Sequence, residues 1–131
     1  MAVSTPFTFS GSLTLPPDAG QPQTPLPFSG SANFKSKAEV QLDLVGSGSK
    51  IINFGTISAA GAKAILVEVE PDSTATKTPI LLSINSSVTG KVEVSPGGFA
   101  AVFNPNPVAG IAAVTVEHTS DNCVRIWLLG G

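Results

Sequence analysis

The feature that most constrains this chain is a two-residue rhythm. Short runs in which apolar and polar side chains alternate are each closed by Gly, Pro, Asn or Ser. Successive side chains on a strand point to opposite faces, so alternation makes a ribbon that is apolar on one side only. When such runs recur every 8 to 12 residues or so, the pattern is that of a sandwich or barrel. Segments 7–15, 38–45, 50–57, 63–70, 80–84, 91–94, 99–103, 111–117 and 123–129 fit. In 38–45, Val40, Leu42 and Leu44 face inward while Glu39, Gln41 and Asp43 face outward; in 63–70, Ile65, Val67 and Val69 alternate with Glu68 and Glu70. The final run is apolar on both faces, as expected of a central strand or of one covered by another subunit. The expected fold is a single all-β domain over residues 1–131, an antiparallel, jelly-roll-like β-sandwich of about eight or nine strands.

Two features break the rhythm near the start. The first run puts Phe7, Phe9, Leu13 and Leu15 on one face, and its Gly11 reads as a bulge. Residues 16–27 then carry Pro16, Pro17, Pro22, Pro25 and Pro27, which cannot donate to a ladder and favour extended polyproline geometry. This stretch reads as an arm or long loop. Phe28-Ser29-Gly30-Ser31 echoes Phe9-Ser10-Gly11-Ser12, an echo too short to read as an internal repeat.

Hydrophobic residues make up 42% of the chain, enough for a core, while 13 glycines and 11 prolines argue against long helices. Only 12% of residues are charged, and the seven basic ones are scattered. Phosphate neutralisation needs clustered Lys and Arg, so nucleic acid is not an expected partner. No apolar run approaches the roughly 18 residues of a membrane-spanning helix, and the N-terminus lacks the pattern of a signal peptide, so neither a membrane nor export by that route is expected. So little charge on a small domain points to a surface covered by partners.

Catalytic chemistry finds few residues to use. His118, Ser120 and Asp121 lie close in sequence, but no Gly-x-Ser-x-Gly turn accompanies them, and a strand-end turn accounts for them better than a triad. Gly46-Ser47-Gly48-Ser49 is followed by a strand, not by the helix a phosphate loop needs. Glu68 and Glu70 read as the solvated side of a sheet. Neither Glu117, His118 and Asp121 nor the loop at Asp72 offers enough ligands for a metal. Asn85-Ser86-Ser87 reads as a turn, not a glycosylation acceptor. Cys123, the only cysteine, excludes an intrachain disulfide and reads as a small packed hydrophobe. Trp127 lies in the apolar last run, where core or interface packing accounts for it better than a sugar platform. No catalytic residue, metal or cofactor is expected.

The stretch 57–67, the turn Ser95-Pro96-Gly97-Gly98-Phe99 and the ending Val124-Arg125-Ile126-Trp127-Leu128-Leu129-Gly130-Gly131 resemble small β-sandwich virion proteins of tailed bacteriophages. These include capsid decoration (cement) proteins and fibre or tail-attached modules. The resemblance implies a non-enzymatic structural subunit made in the host cytoplasm and incorporated into a virion. Its partners would be its own copies, as a dimer or trimer, and the major capsid protein or other virion subunits. The residues expected at interfaces are Pro16, Pro17, Pro22, Pro25, Pro27, Phe99 and Trp127. A carbohydrate- or receptor-binding module is the alternative, and an exposed Trp127 beside Asp121 and Glu117 would favour it.

Overall fold

The computed structural model describes residues 5–14, 19–20, 25–55, 57, 61–85, 90–104 and 110–130, with the backbone alone at Thr5, Phe7 and Phe9, and among them the nine alternating runs are joined by one further strand to make ten. The first two strands, β1 (Thr5–Thr14) and β2 (Pro25–Phe34), pair with each other in a sheet of their own. The next four are β3 (Ser36–Leu44), β4 (Gly48–Ile51), β5 (Ala62–Val69) and β6 (Ile80–Ile84). The last four are β7 (Val92–Val94), β8 (Phe99–Phe103), β9 (Val114–His118) and β10 (Asn122–Gly130).

Strands β3 to β10 form two four-stranded antiparallel sheets, ordered β3-β10-β5-β8 and β4-β9-β6-β7. The pairing is nested. β3 pairs with β10, β4 with β9, β5 with β8, and β6 with β7, as if one long hairpin had its halves dealt alternately to two layers. The ladders β10/β5 and β9/β6 close the roll. This is the jelly-roll arrangement that the sequence leads one to expect.

Between the sheets lies one core. Leu44, Ile65, Val67, Val69, Val124, Ile126 and Leu128 from one layer meet Ile80, Leu82, Val94, Val114 and Val116 from the other. Strand β10 is central, as its two apolar faces demand, and Val124, Ile126 and Leu128 on its inner face are fully buried.

Several expectations are corrected. The arm assigned to residues 16–27 is partly strand, because Pro25 and Pro27 begin β2; Pro16, Pro17 and Pro22 lie outside the described residues. Prolines fit here because of register. Pro6↔Asn33, Ser12↔Pro27 and Thr14↔Pro25 all fall on the same alternate set of pairs. Alternate pairs of an antiparallel ladder exchange no hydrogen bonds, so prolines of one parity remove no ladder donor. Gly11 is not a bulge either, for the register runs unbroken from Thr5↔Phe34 to Thr14↔Pro25. A Cβ at Gly11 would lie 2.5 Å from Cζ of Phe28, so the glycine makes room for the ring opposite it.

The short echo also has a structural meaning. Phe9 pairs with Gly30 and Gly11 with Phe28, so the two Phe-Ser-Gly-Ser stretches face each other across a local two-fold between Ser10 and Ser29. Elsewhere, the run 50–57 shrinks to a strand ending at Ile51, and Ile52 and Phe54 enter the core from non-strand backbone that turns at Gly55 (φ 63°). The run 111–117 starts late, at Val114, with Ile111 held by an isolated bridge to Ala62.

Because Ile126 is fully buried in a strand paired on both edges, Ile126→Ala should lower unfolding free energy by about 3 kcal/mol in urea denaturation. A loss under about 1 kcal/mol would contradict the placement of the core.

Candidate functional site

The ribbon β1–β2 is strongly two-faced. Cross-strand partners share a face, so one side of β2 carries Leu26, Phe28, Gly30, Ala32 and Phe34, with Gly11 and Leu13 of β1 opposite. The other side carries hydroxyls, prolines and Asn33. Neither strand contains a charged residue. At the base Phe34 is buried, edge-to-face with Phe103 of β8 with ring centroids 6.2 Å apart, and the Lys35 N–H donates to the carbonyl of Gly130 (2.9 Å). Further out the same face is open. Leu13, Leu26 and Phe28 are 53%, 51% and 52% exposed.

A second apolar surface lies on the outer face of the β3-β10-β5-β8 sheet, where register sets side chains in rows. Lys37, Leu129, Ala64 and Phe103 form one row; Glu39, Trp127, Leu66 and Ala101 the next; Gln41, Arg125, Glu68 and Phe99 the third. Apolar groups thus gather toward β8, with Lys37 and Glu39 at the β3 edge of the first two rows, whereas in the third row Arg125 and Glu68 stand between Gln41 and Phe99. Phe34 and Ala64 are buried yet stand apart from the main core, at the end of this surface marked by Phe103. Phe99 is 71% exposed, and with Leu66, Glu68, Gly97 and Gly98 it lines a shallow depression of about 320 Å³. Trp127 is half-buried, with the Arg125 guanidinium 5.7 Å from its ring centroid, a cation–π distance. Its neighbours in the row are Glu39 and Leu66, whereas Glu117 lies on the other sheet, so the arrangement that would favour a sugar platform does not form.

The polar candidates turn out to be loop clips. His118 Nδ1 lies 2.6 Å from the carbonyl of Gly46, which can only accept, so this nitrogen carries the proton. The Gly46 N–H donates to Asp121 Oδ1 (2.7 Å). The Thr78 N–H donates to Ser120 Oγ (2.8 Å). His118, Ser120 and Asp121 are therefore each engaged elsewhere and together tie the 46–48 turn and the 78 loop to the β9–β10 turn. Asp72 accepts from the N–H groups of Thr74, Thr76 and Lys77 and from the Thr74 hydroxyl (3.0, 2.7, 2.8 and 2.6 Å). Those bonds, the Thr74 hydroxyl first, hold its carboxyl well below the usual carboxylate range, and they fix Ala75 in left-handed backbone (φ 55°). Asn85 Oδ1 accepts from Ala112 N–H (2.6 Å) and Ala113 N–H (3.3 Å). Among the described residues no group of three or more His, Cys, Asp or Glu is placed to hold a metal ion.

No protein-family model, curated protein or solved structure matches this chain. Geometry and chemistry alone therefore carry the functional reading. Of the residues expected at interfaces, Pro25 and Pro27 lie exposed on β2, and Phe99 and Trp127 share the outer sheet face. Leu26, Phe28 and Phe34 were not among them, because the prolines mask the strand they belong to. The signal that could have found them is the alternation of Leu26, Phe28, Gly30, Ala32 and Phe34 read through the prolines.

Cys123 sits on the charged part of the outer face, lining a shallow depression with Gln41, Glu68, Glu70, Pro71 and Arg125. Partial burial, then Asp43 and Glu70 as hydrogen-bond partners, push its thiol above the ordinary value, against a lowering bond from Gln41. Since the thiolate is the nucleophile, Cys123 should react with a thiol reagent more slowly than free cysteine at pH 8, and its rate should keep climbing beyond pH 9. Labelling at neutral pH as fast as that of an activated catalytic thiol would contradict this environment.

Proposed function

We propose that the protein is a non-enzymatic structural subunit of a virus particle, a capsid decoration (cement) protein that stabilises a tailed-phage head through contacts between subunits. The observation that carries the reading is the uncharged ribbon, a sheet of its own, with an open apolar face through Leu13, Leu26 and Phe28. A two-stranded ribbon alone is marginal in water, so a chain that keeps one with its apolar side open is shaped to be covered by something else. The jelly roll suits this use, being an architecture of capsid domains, although it serves other functions too. The site chemistry agrees, for the His, Ser and Asp side chains that could have formed a relay are spent on joining loops.

Partners on this reading are further copies of the chain and the major capsid protein or another virion subunit, and the protein is made in the host cytoplasm and resides in the virion. Attachment to a tail or fibre would use the same surfaces.

The test is co-sedimentation of the purified chain with heads and, separately, with tails of the phage that encodes it. Saturable binding to heads, with slower rupture of the heads on heating, is expected. Binding to tails alone would move the subunit to the fibre or tail, and binding to neither would contradict the virion reading.

A further inference from the structure

Among the described residues two apolar surfaces stay open or only partly covered: the ribbon face and the β8 side of the outer sheet. We propose that they meet between copies, the ribbon of one copy lying on the outer face of the β3-β10-β5-β8 sheet of a second copy, whose ribbon is returned in the same way. This deepens the assembly reading, on which it rests, by naming the partner as a second copy of this chain and the contact as ribbon on sheet.

Four observations support that occupant. Both surfaces keep exposed apolar side chains, since Leu13, Leu26 and Phe28 stay about half exposed and Phe99 is 71% exposed. The contact already has a beginning, because Phe34, on the same face as Phe28 and Leu26, is buried and stacks edge-to-face on Phe103 of that sheet. Charge is absent from the ribbon and sparse on the facing sheet: Lys37 and Glu39 end the first two rows at the far edge on β3, and the Phe99 row carries one opposite-sign pair, Arg125 beside Glu68.

Area is the fourth. A ten-residue ribbon is about 34 Å long and two strands wide, which gives a face on the order of 300 Å². Two ribbons pressed face to face would bury only on the order of 600 Å², well below a stable interface, whereas a reciprocal exchange covers two ribbons and two sheet faces and reaches on the order of 1,200 Å², where stable interfaces begin. A two-fold exchange is also closed, so it ends at a pair and does not grow into fibres.

The test uses the full chain with single substitutions on exposed positions, with folding checked by circular dichroism. Phe28→Asp spoils the ribbon face, Phe99→Asp spoils the sheet face, and Ser29→Asp charges the opposite side of the ribbon. By analytical ultracentrifugation the unaltered chain and Ser29→Asp should form the same dimer, and Phe28→Asp and Phe99→Asp should each weaken it at least 100-fold. An equimolar mixture of Phe28→Asp and Phe99→Asp should then associate at least 10-fold more tightly than either alone, because one intact ribbon meets one intact sheet. Should either variant misfold, Leu26→Asp or Ala101→Asp replaces it.

A mixture no tighter than its components, or a chain that stays monomeric, would overturn the exchange. Because no particle is present in this experiment, a monomer that still sediments with heads would leave the virion reading intact. An exchanged dimer that binds no particle would do the reverse.

Discussion

The whole structure depends on burying β10. This strand is laddered to β3 on one side and β5 on the other, and its inner side chains Val124, Ile126 and Leu128 are sealed beneath the opposing sheet. A backbone so placed has no water to satisfy it, so every N–H and C=O must find a ladder partner. Nested pairing meets that demand. Each strand from β3 to β6 meets its counterpart from β10 to β7, and polar side chains are left to fasten the turns, as His118 and Asp121 do at Gly46.

The ribbon β1–β2 obeys the same rules but meets only some of them. Its backbone is laddered in one unbroken register with Phe28 seated over Gly11, yet beyond Phe34 its apolar side carries no second layer among the described residues. The sandwich presents the complementary problem through Phe99 and the Leu66, Ala101 and Phe103 surface. Two incomplete layers in one molecule fit the proposal that assembly completes the fold. The lack of charge on the ribbon fits this too, since a charge there would have to be desolvated whenever the face was covered.

Sequence pattern was most legible where burial is one-sided and continuous. Segments 63–70, 80–84, 99–103 and 123–129 match β5, β6, β8 and β10 within a residue or so, because alternation or an unbroken apolar run leaves one register with a buried face. Where the core is filled from irregular backbone, as at Ile52 and Phe54, alternation continues beyond the strand and overstates it. β2 was hidden for a different reason. Proline is a strong sign against a strand, but Pro25 and Pro27 fall on the parity that the ladder tolerates, and parity becomes visible only when the partner strand is known. The same gap hid half the candidate surface: Phe99 and Trp127 stood out as aromatics in strands, while Leu26 fell in the stretch read as an arm and Phe28 and Phe34 in no alternating run.

The central claim is that the ribbon owes its stability to a second copy. The most direct measurement is amide hydrogen exchange of β1 and β2 in a concentrated sample and after serial dilution, with β10 as an internal standard. Protection of the ribbon amides should fall on dilution while that of β10 stays constant. Ribbon protection that is the same at every concentration, whether strong or absent, would contradict the account.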